Sequence, residues 1–298
     1  MEPLLLIANA DAGTADSENL ERALTVLRSG GDVEVASTSN PGELDGVLHR
    51  AGSRRIVVAG GDGSLHAIVA ALHRRRELEG RTLGLIPLGT GNDYARGQDI
   101  PLEPEEAARV VLTGRPRLVD ILVDCRGEVV VNSVHIGVGA QASRKADRWK
   151  SRLNVVKLGR LGYLVGAAQA AVRPPFVRLR VEVDGEVVAD VDRPVLQVAI
   201  GNSDYVGGGT ELTPDATPHD GQADILVSFA IGPLARIGYA ARLARGEHHE
   251  RDDVAYLRGR TVQVTGGEFW CSADGEIDGP ERNRTWTVEP AAFQMLLP

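Results

Sequence analysis

The sequence predicts two domains of different class: an α/β N-terminal domain with a doubly wound sheet, then a mainly-β, sandwich-like C-terminal domain. Three observations predict them. Short apolar runs alternate with helix-spaced segments over the first third of the 298 residues. Strand-like segments then follow one another with a single helical interruption. The change of rhythm falls near residue 118.

Leu4–Ala8 is a short apolar run of the kind that fills a parallel strand covered on both faces. Asp16–Arg28 places Leu20, Ala23, Leu24 and Leu27 on one helical face. Val33–Ala36 reads as a strand, Glu43–Ala51 as a helix, Arg55–Ala59 as a strand, Ser64–Arg75 as a helix and Leu83–Ile86 as a strand. Pro104–Leu112 carries acids in its first turn and Gly114 just past its end, a helix with matched termini. This βαβα rhythm is that of a doubly wound domain. Beyond it, Val119–Val123, Val129–Val134, Arg178–Val183, Val195–Ile200, Ala223–Phe229, Arg260–Thr265 and Thr285–Val288 all read as strands. Asp184-Gly185 suits a hairpin turn between two of them, and Lys145–Val172 is a helical insert. The expected division is residues 1–122, completed by 289–298, and residues 123–288.

A chain of this length forms two cores comfortably. The net charge of −8 runs against a nucleic-acid partner, although one cationic cleft can sit on an acidic protein. Cys125 and Cys271 lie far apart and form no CxxC pair, which argues against a disulfide framework or structural zinc and for a reducing, cytoplasmic setting. The N-terminal apolar run is too short for a secretory core, and no stretch reaches the roughly 20 apolar residues of a membrane span. Contact with a membrane would be peripheral, from its inner face.

Two loops carry the chemistry. In Ile56–Ser64 a buried strand ends in Gly60, Gly61, Asp62 and Gly63, and a helix begins at once with Ser64. Glycines permit positive φ and close approach, and the helix N-terminus offers free N–H groups to a phosphate. Asp62 would stand beside that phosphate, to orient Mg²⁺ or accept a proton; the alternative is a tight turn in which Asp62 or Ser64 caps the helix. Leu85–Asp93 repeats the pattern with Gly89, Thr90, Gly91 and Asn92, where Thr90 and Asn92 suit hydrogen bonds to phosphate or ribose. Two such loops after parallel strands face one crevice at the carboxyl ends of the sheet. Neither matches the P-loop or the dinucleotide fingerprint. The histidines form no ligand cluster; His66 and His135 are candidates to line the cleft, with ordinary packing as the alternative.

Gly60-Gly61-Asp62-Gly63-Ser64 and Pro87-Leu88-Gly89-Thr90-Gly91-Asn92-Asp93 together resemble the diacylglycerol kinase catalytic-domain family, which includes bacterial lipid kinases and sphingosine kinases and, distantly, NAD kinases. Asn9 with Gly13 resembles its first phosphate loop. Asn132–Gly139, then Gly207-Gly208-Gly209 with Pro214 and Asp220-Gly221, then Asp274-Gly275-Glu276, resemble its later elements in the same order. The resemblance implies a Rossmann-like α/β domain and a β domain, with the active site in the cleft between them. It implies ATP held through Thr38, the loop from Gly61 to Ala67 and Thr90. Asp274 or Glu276 would deprotonate a lipid hydroxyl, Asp274 being favoured though the sequence does not separate the two. A Mg²⁺ in the second domain would take the backbone of Thr217, the Asp220 carboxylate and the backbone of Gln222.

The chain departs from the family pattern at Ala10 for Pro, Ser64 for Thr and Ala67 for Glu, and in continuing as Glu276-Ile277-Asp278-Gly279. The leading reading is ATP- and Mg²⁺-dependent phosphorylation of a lipid alcohol, with diacylglycerol the first candidate. NAD kinase-like or sphingosine-type activity is the alternative enzyme reading. A catalytically weak, lipid-binding regulatory protein is the alternative that Ala67 motivates. Ser143–Arg173 holds all three lysines, Lys145, Lys150 and Lys157, interleaved with apolar residues, and suits docking on anionic membranes. The oligomeric state is open, a homodimer included.

Overall fold

The computed structural model describes residues 3–10, 14–137 and 176–298. The expected insert Lys145–Val172, the docking segment Ser143–Arg173, Gly13, and Val138 and Gly139 lie outside the described residues. The described chain forms two compact units, Met1–Asp120 with Pro290–Pro298, and Ile121–Glu289.

In the first unit β1 (Leu4–Asn9), α1 (Thr14–Gly30), β2 (Val33–Thr38), α2 (Pro41–Ala51), β3 (Arg55–Gly60), α3 (Asp62–Arg74) and β4 (Thr82–Pro87) alternate as the sequence predicts. The strands are parallel in the order β2-β1-β3-β4, and Gln294 and Met295 add a further parallel pairing beside Thr82 and Leu83. Leu4–Ala8 and Ile56–Ala59 are buried throughout, which is why their runs are continuously apolar instead of alternating. Helix α2 starts where Asn40 Oδ1 accepts the Glu43 N–H at 3.0 Å and Pro41 fills the first helical position. The short helix α4 (Asp93–Gly97), not expected from the sequence, precedes α5 (Pro104–Thr113).

The chain enters the second unit within β5 (Arg115–Asp124). The expected strand Val129–Val134 is two strands, β6 (Val129–Val130) and β7 (Ser133–Gly137), because the backbone at 131–133 turns its N–H groups to a carboxylate. Then come β8 (Leu179–Val183), β9 (Glu186–Ala189), β10 (Gln197–Gly201), β11 (Tyr205–Val206), β12 (Thr210–Glu211) and β13 (Ala223–Ser228). Asp184 and Gly185 form the β8–β9 turn with φ of 51° and 86°, as a two-residue hairpin of this kind requires. Helix α6 (Pro233–Leu243) and β14 (Val254–Gly259) follow, neither of them expected. The last two strands, β15 (Thr261–Ala273) and β16 (Glu276–Leu297), far exceed the short segments foreseen at Arg260–Thr265 and Thr285–Val288. A register shift between Thr265 and Cys271 lets β15 continue past Gly266 and Gly267, residues that read as a strand end.

The sheet of this unit runs β14-β13-β10-β7-β15-β16 and is antiparallel, with β8 on the other end of β15. Strands β10 and β13 are buried along their whole length because both faces are covered. Val198, Ile200, Ile225 and Val227 enter one core with Trp286 and Phe269, while Ala199 and Leu226 enter another with Tyr239 of α6.

One buried charge organises the turn between β5 and β6. Asp124 Oδ1 accepts the Arg126 and Glu128 N–H groups at 2.8 Å each, and Oδ2 accepts Arg284 Nε at 2.7 Å. Arg284 is 4% exposed and also pairs with Asp278, holding that carboxyl below its usual range. A buried ion strands its partner when it is removed, so Arg284→Met is expected to cost about 3–5 kcal/mol. Arg282→Met, which breaks only the exposed pair with Glu268, is expected to cost under about 1 kcal/mol. Urea unfolding followed by tryptophan fluorescence tests this, because Trp149, Trp270 and Trp286 all fall in Ile121–Glu289.

Candidate active site

The carboxyl ends of the parallel strands bring four expected positions together. Asn9 and Thr38 are register partners at the ends of β1 and β2, and Gly60 is the register partner of Pro87 at the ends of β3 and β4. Neither loop uses left-handed glycines: Gly61 has φ −94°, and none of Gly60, Gly63, Gly89 and Gly91 is among the positive-φ residues. Small size is needed for contact between the loops. A Cβ on Gly89 would stand 2.5 Å from Gly61 Cα, and one on Gly60 would stand 2.3 Å from Ser64 Oγ. The left-handed residue is Asn92 at φ 51°, fastened by Oδ1 accepting Gly89 N–H at 3.0 Å and by Nδ2 donating to Gly89 O at 2.7 Å. Thr90 beside it is exposed.

Asp62 does not cap its own helix. Its Oδ2 accepts the Asp93 N–H at 3.1 Å and its Oδ1 the Tyr94 N–H at 2.9 Å, so it caps α4 and ties the second loop to the first. Ser64 caps nothing either; its N–H bonds to Gly61 O, and α3 begins without a side-chain cap. Asp93 is 8% exposed, and its carboxylate and that of Asp62 both approach Gly91. A Cβ placed on Gly91 would lie 3.2 Å from Asp62 Oδ2 and 3.6 Å from Asp93 Oδ2. Two convergent carboxylate oxygens beside touching backbone loops fit a hard cation that travels with a polyphosphate. Asp93, which the sequence shows only as the last residue of the second loop, joins the candidate residues through this convergence. Ala67, the family position without its Glu, is exposed on α3.

In the second unit Asp274 and Gly275, with φ of 47° and 92°, form the tight β15–β16 turn. Asp274 Oδ2 accepts Val131 N–H at 2.7 Å, and Oδ1 accepts the Asn132 and Ser133 N–H groups at 2.8 and 3.1 Å. The same segment is held from the other side, where Asn202 Nδ2 donates to Val131 O at 2.8 Å. Glu276, two residues on, pairs with Ala273 through its backbone and is exposed, and among the described residues no hydrogen bond or ion pair engages its side chain. His135 lies 3.0 Å from Ser133 Oγ through Nε2; burial pushes its imidazole down to about 4, against the pull of Asp274. It therefore carries no charge at physiological pH.

The glycine-rich turn has positive φ throughout, 63°, 88° and 103° at Gly207, Gly208 and Gly209. Of the expected cation ligands, Asp220 accepts the Gln222 N–H at 3.0 Å and pairs with Arg258, while Thr217 lies half-buried three residues before it. Asp224, unforeseen within an otherwise apolar strand, is fully buried. Neither of its carboxylate oxygens makes a well-formed hydrogen bond, and Arg258 Nε lies 3.5 Å away. Burial pushes Asp224 up to about 6; the Tyr256 hydroxyl opposes this and Asp215 adds to it. One arginine among Asp215, Asp220 and Asp224 leaves negative charge in excess, so the residues fit a cation. No cluster of three acidic, His or Cys side chains with ligand geometry occurs among the described residues, so such a cation would depend on backbone carbonyls as well.

Known proteins place this arrangement in a class. Residues 3–123 match the model described as "Diacylglycerol kinase catalytic domain", and residues 132–297 match the "YegS C-terminal NAD kinase beta sandwich-like domain". The chain is thus an enzyme of the kinase class, built from those two domains. It belongs to the lipid kinase family of YegS-like and diacylglycerol kinase-like proteins. A "Probable lipid kinase YegS-like" of Xanthomonas campestris is 30% identical over 304 residues, covering 95% of this chain and 92% of its own. The diacylglycerol kinase of Bacillus subtilis is 32% identical over 229 residues, 75% of this chain and 71% of its own. A crystal structure of a diacylglycerol kinase from Bacillus anthracis has the same fold, with TM-score 0.79 and 23% identity over 100% of this chain and 97% of that one. Another structure from that organism has TM-score 0.83 at 24% identity, covering 100% and 95%.

Asp204, at the entry to the glycine-rich turn, accepts the Tyr205 N–H at 3.0 Å, and burial pushes its carboxyl up from 3.8 to about 6. A raised acid binds more protons folded than unfolded, so its contribution falls as pH rises through that window. Asp204→Asn is expected to be more stable than wild type near pH 8, by about 1 kcal/mol after solvent screening, with the gain gone near pH 4. Urea midpoints across that range check it.

Proposed function

We propose that the protein transfers the γ-phosphate of ATP to the hydroxyl of a lipid, with diacylglycerol as acceptor and phosphatidic acid as product. The observation that carries this reading is the contact of the two loops at Gly61 and Gly89, with the Asp62 and Asp93 carboxylates converging beside it. The loops present backbone N–H groups and the start of α3 to a polyphosphate. Thr38, Thr90 and Asn9 stand on the same edge to bind the rest of the nucleotide. Mg²⁺ held by Asp62 and Asp93 would supply neutralisation of phosphate charge; every other step belongs to the chain.

The base in this reading is Glu276. Both oxygens of Asp274 are taken up by three backbone N–H groups, so Asp274 positions the turn, while Glu276 follows it with an uncommitted carboxylate. Glu276 removes the hydroxyl proton as the lipid oxygen forms its bond to the γ-phosphorus. The bond from that phosphorus to the β–γ bridging oxygen breaks, and ADP leaves. Alignment does most of the work in such a transfer, and a positioned carboxylate is a sufficient proton acceptor. Among the described residues no helix is long and apolar enough to cross a membrane. In this reading the enzyme meets its lipid at the bilayer face.

Transfer of labelled phosphate from ATP to a panel of lipids, with NAD as a further acceptor, tests the reading; label on NAD alone would replace it. Glu276→Gln is expected to lower kcat roughly 10²-fold or more with an unchanged melting temperature. Asp274→Asn is expected to lower both activity and melting temperature. The reverse pattern, with a fully active Glu276→Gln, would return the base to Asp274. For the cation of the second unit, Mg²⁺ is expected to raise the melting temperature of wild type but not of Asp220→Ala. Equal responses to Mg²⁺ and chelator would leave Asp220 as a turn residue paired to Arg258.

A further inference from the structure

Helix α6 carries two opposite apolar faces, and only one is used. Ala235, Tyr239 and Leu243, spaced four apart, pack into the core with Leu196, Ala199 and Leu226. On the other side Leu234 and Ile237 are 84% and 63% exposed, the two most exposed large apolar side chains among the described residues. At 100° per residue, Leu234, Ile237, Ala241 and Ala244 form one outward stripe, and both alanines are exposed. Arg242 and Arg245 flank the stripe and are exposed; Gly232–Gly246 holds three arginines and no acid in a chain of net charge −8. The acids nearby lie past the end of the helix and on its inner flank: Glu247 follows Gly246, Glu211 reaches Gly246, and Glu250, Asp252 and Asp253 line a shallow depression with Arg242, where Arg251 holds Asp253 at 2.7 Å.

We propose that the outer face of α6 is a docking surface for an anionic lipid bilayer, with Leu234 and Ile237 entering the acyl boundary and Arg242 and Arg245 meeting the headgroups. An apolar stripe bordered by cations and free of acids is complementary to that surface. The choice of a bilayer also rests on the lipid kinase reading, since the substrate of that reaction lies in one.

The test uses the full chain and vesicles of phosphatidylcholine with or without phosphatidylglycerol. Leu234→Ser combined with Ile237→Ser is expected to weaken co-sedimentation with phosphatidylglycerol vesicles by roughly tenfold or more. Arg242→Gln with Arg245→Gln is expected to weaken it too and to flatten its salt dependence. Activity on a dispersed short-chain diacylglycerol is expected to stay unchanged in both variants, while activity on vesicle-embedded diacylglycerol falls. Wild-type binding by both double variants overturns the proposal. So does a wild-type dimer that the serine variant dissociates without loss of vesicle binding. A protein that binds vesicles through this face yet phosphorylates no lipid would refute the kinase reading and leave the docking surface standing.

Discussion

A carboxylate that accepts backbone N–H groups from a distant segment is the interaction on which both units depend. Asp62 takes two from the start of α4, Asp184 takes those of Arg260 and Thr261, and Asp274 takes three from residues 131–133. Asp120 takes Ala291 N–H at 2.7 Å in the first unit. Most of these donors sit at or beside the end of a strand or helix, and Ala291 lies within β16 at a residue with φ 54°; an unmet buried N–H at such an irregularity is costly. A charged acceptor meets two or three of them at once with the stronger class of hydrogen bond. The loops are shaped by these clamps more than by glycine flexibility.

That explains which parts of the molecule were legible in the sequence. The first unit follows from apolar runs and helical spacing, because β1, β3 and β4 are short, largely buried and punctuated by turn residues, while β2 is a short, partly exposed edge strand. The second unit is legible as β but not in its bounds. β16 runs through Gly279, whose would-be Cβ lies 2.9 Å from Phe269 O, at the register shift that lets the two longest strands stay paired. Helix α6 is hidden because its outer stripe makes it apolar nearly all round, which blurs the period that betrays a surface helix.

The site was legible in its residue types and less so in their roles. Gly-Gly-Asp-Gly suggested positive φ, whereas the glycines serve contact between loops and the positive φ belongs to Asn92. Asp62 suggested a free carboxylate, whereas it is a cap for the other loop as well as a neighbour of Asp93. No local pattern announces Asp224 or Arg258, since an acid in an apolar strand and an arginine 34 residues later gain meaning only when β13 and β14 pair and set them side by side.

The tight turn of the last hairpin shows how one short motif divides labour. A two-residue turn with positive φ at both positions favours Asp and Gly, and the Asp side chain is then within reach of neighbouring backbone. Once Asp274 binds residues 131–133 it cannot also move freely to follow a proton, and the next side chain with a carboxylate is Glu276. In the proposed reading Glu276 is the base, oriented by its neighbour without sharing its hydrogen bonds, so that loss of the clamp would disturb geometry and stability together, whereas loss of Glu276 would disturb only the proton transfer. The two acids look equivalent in a string of letters, and the three N–H groups of 131–133 are what make them different.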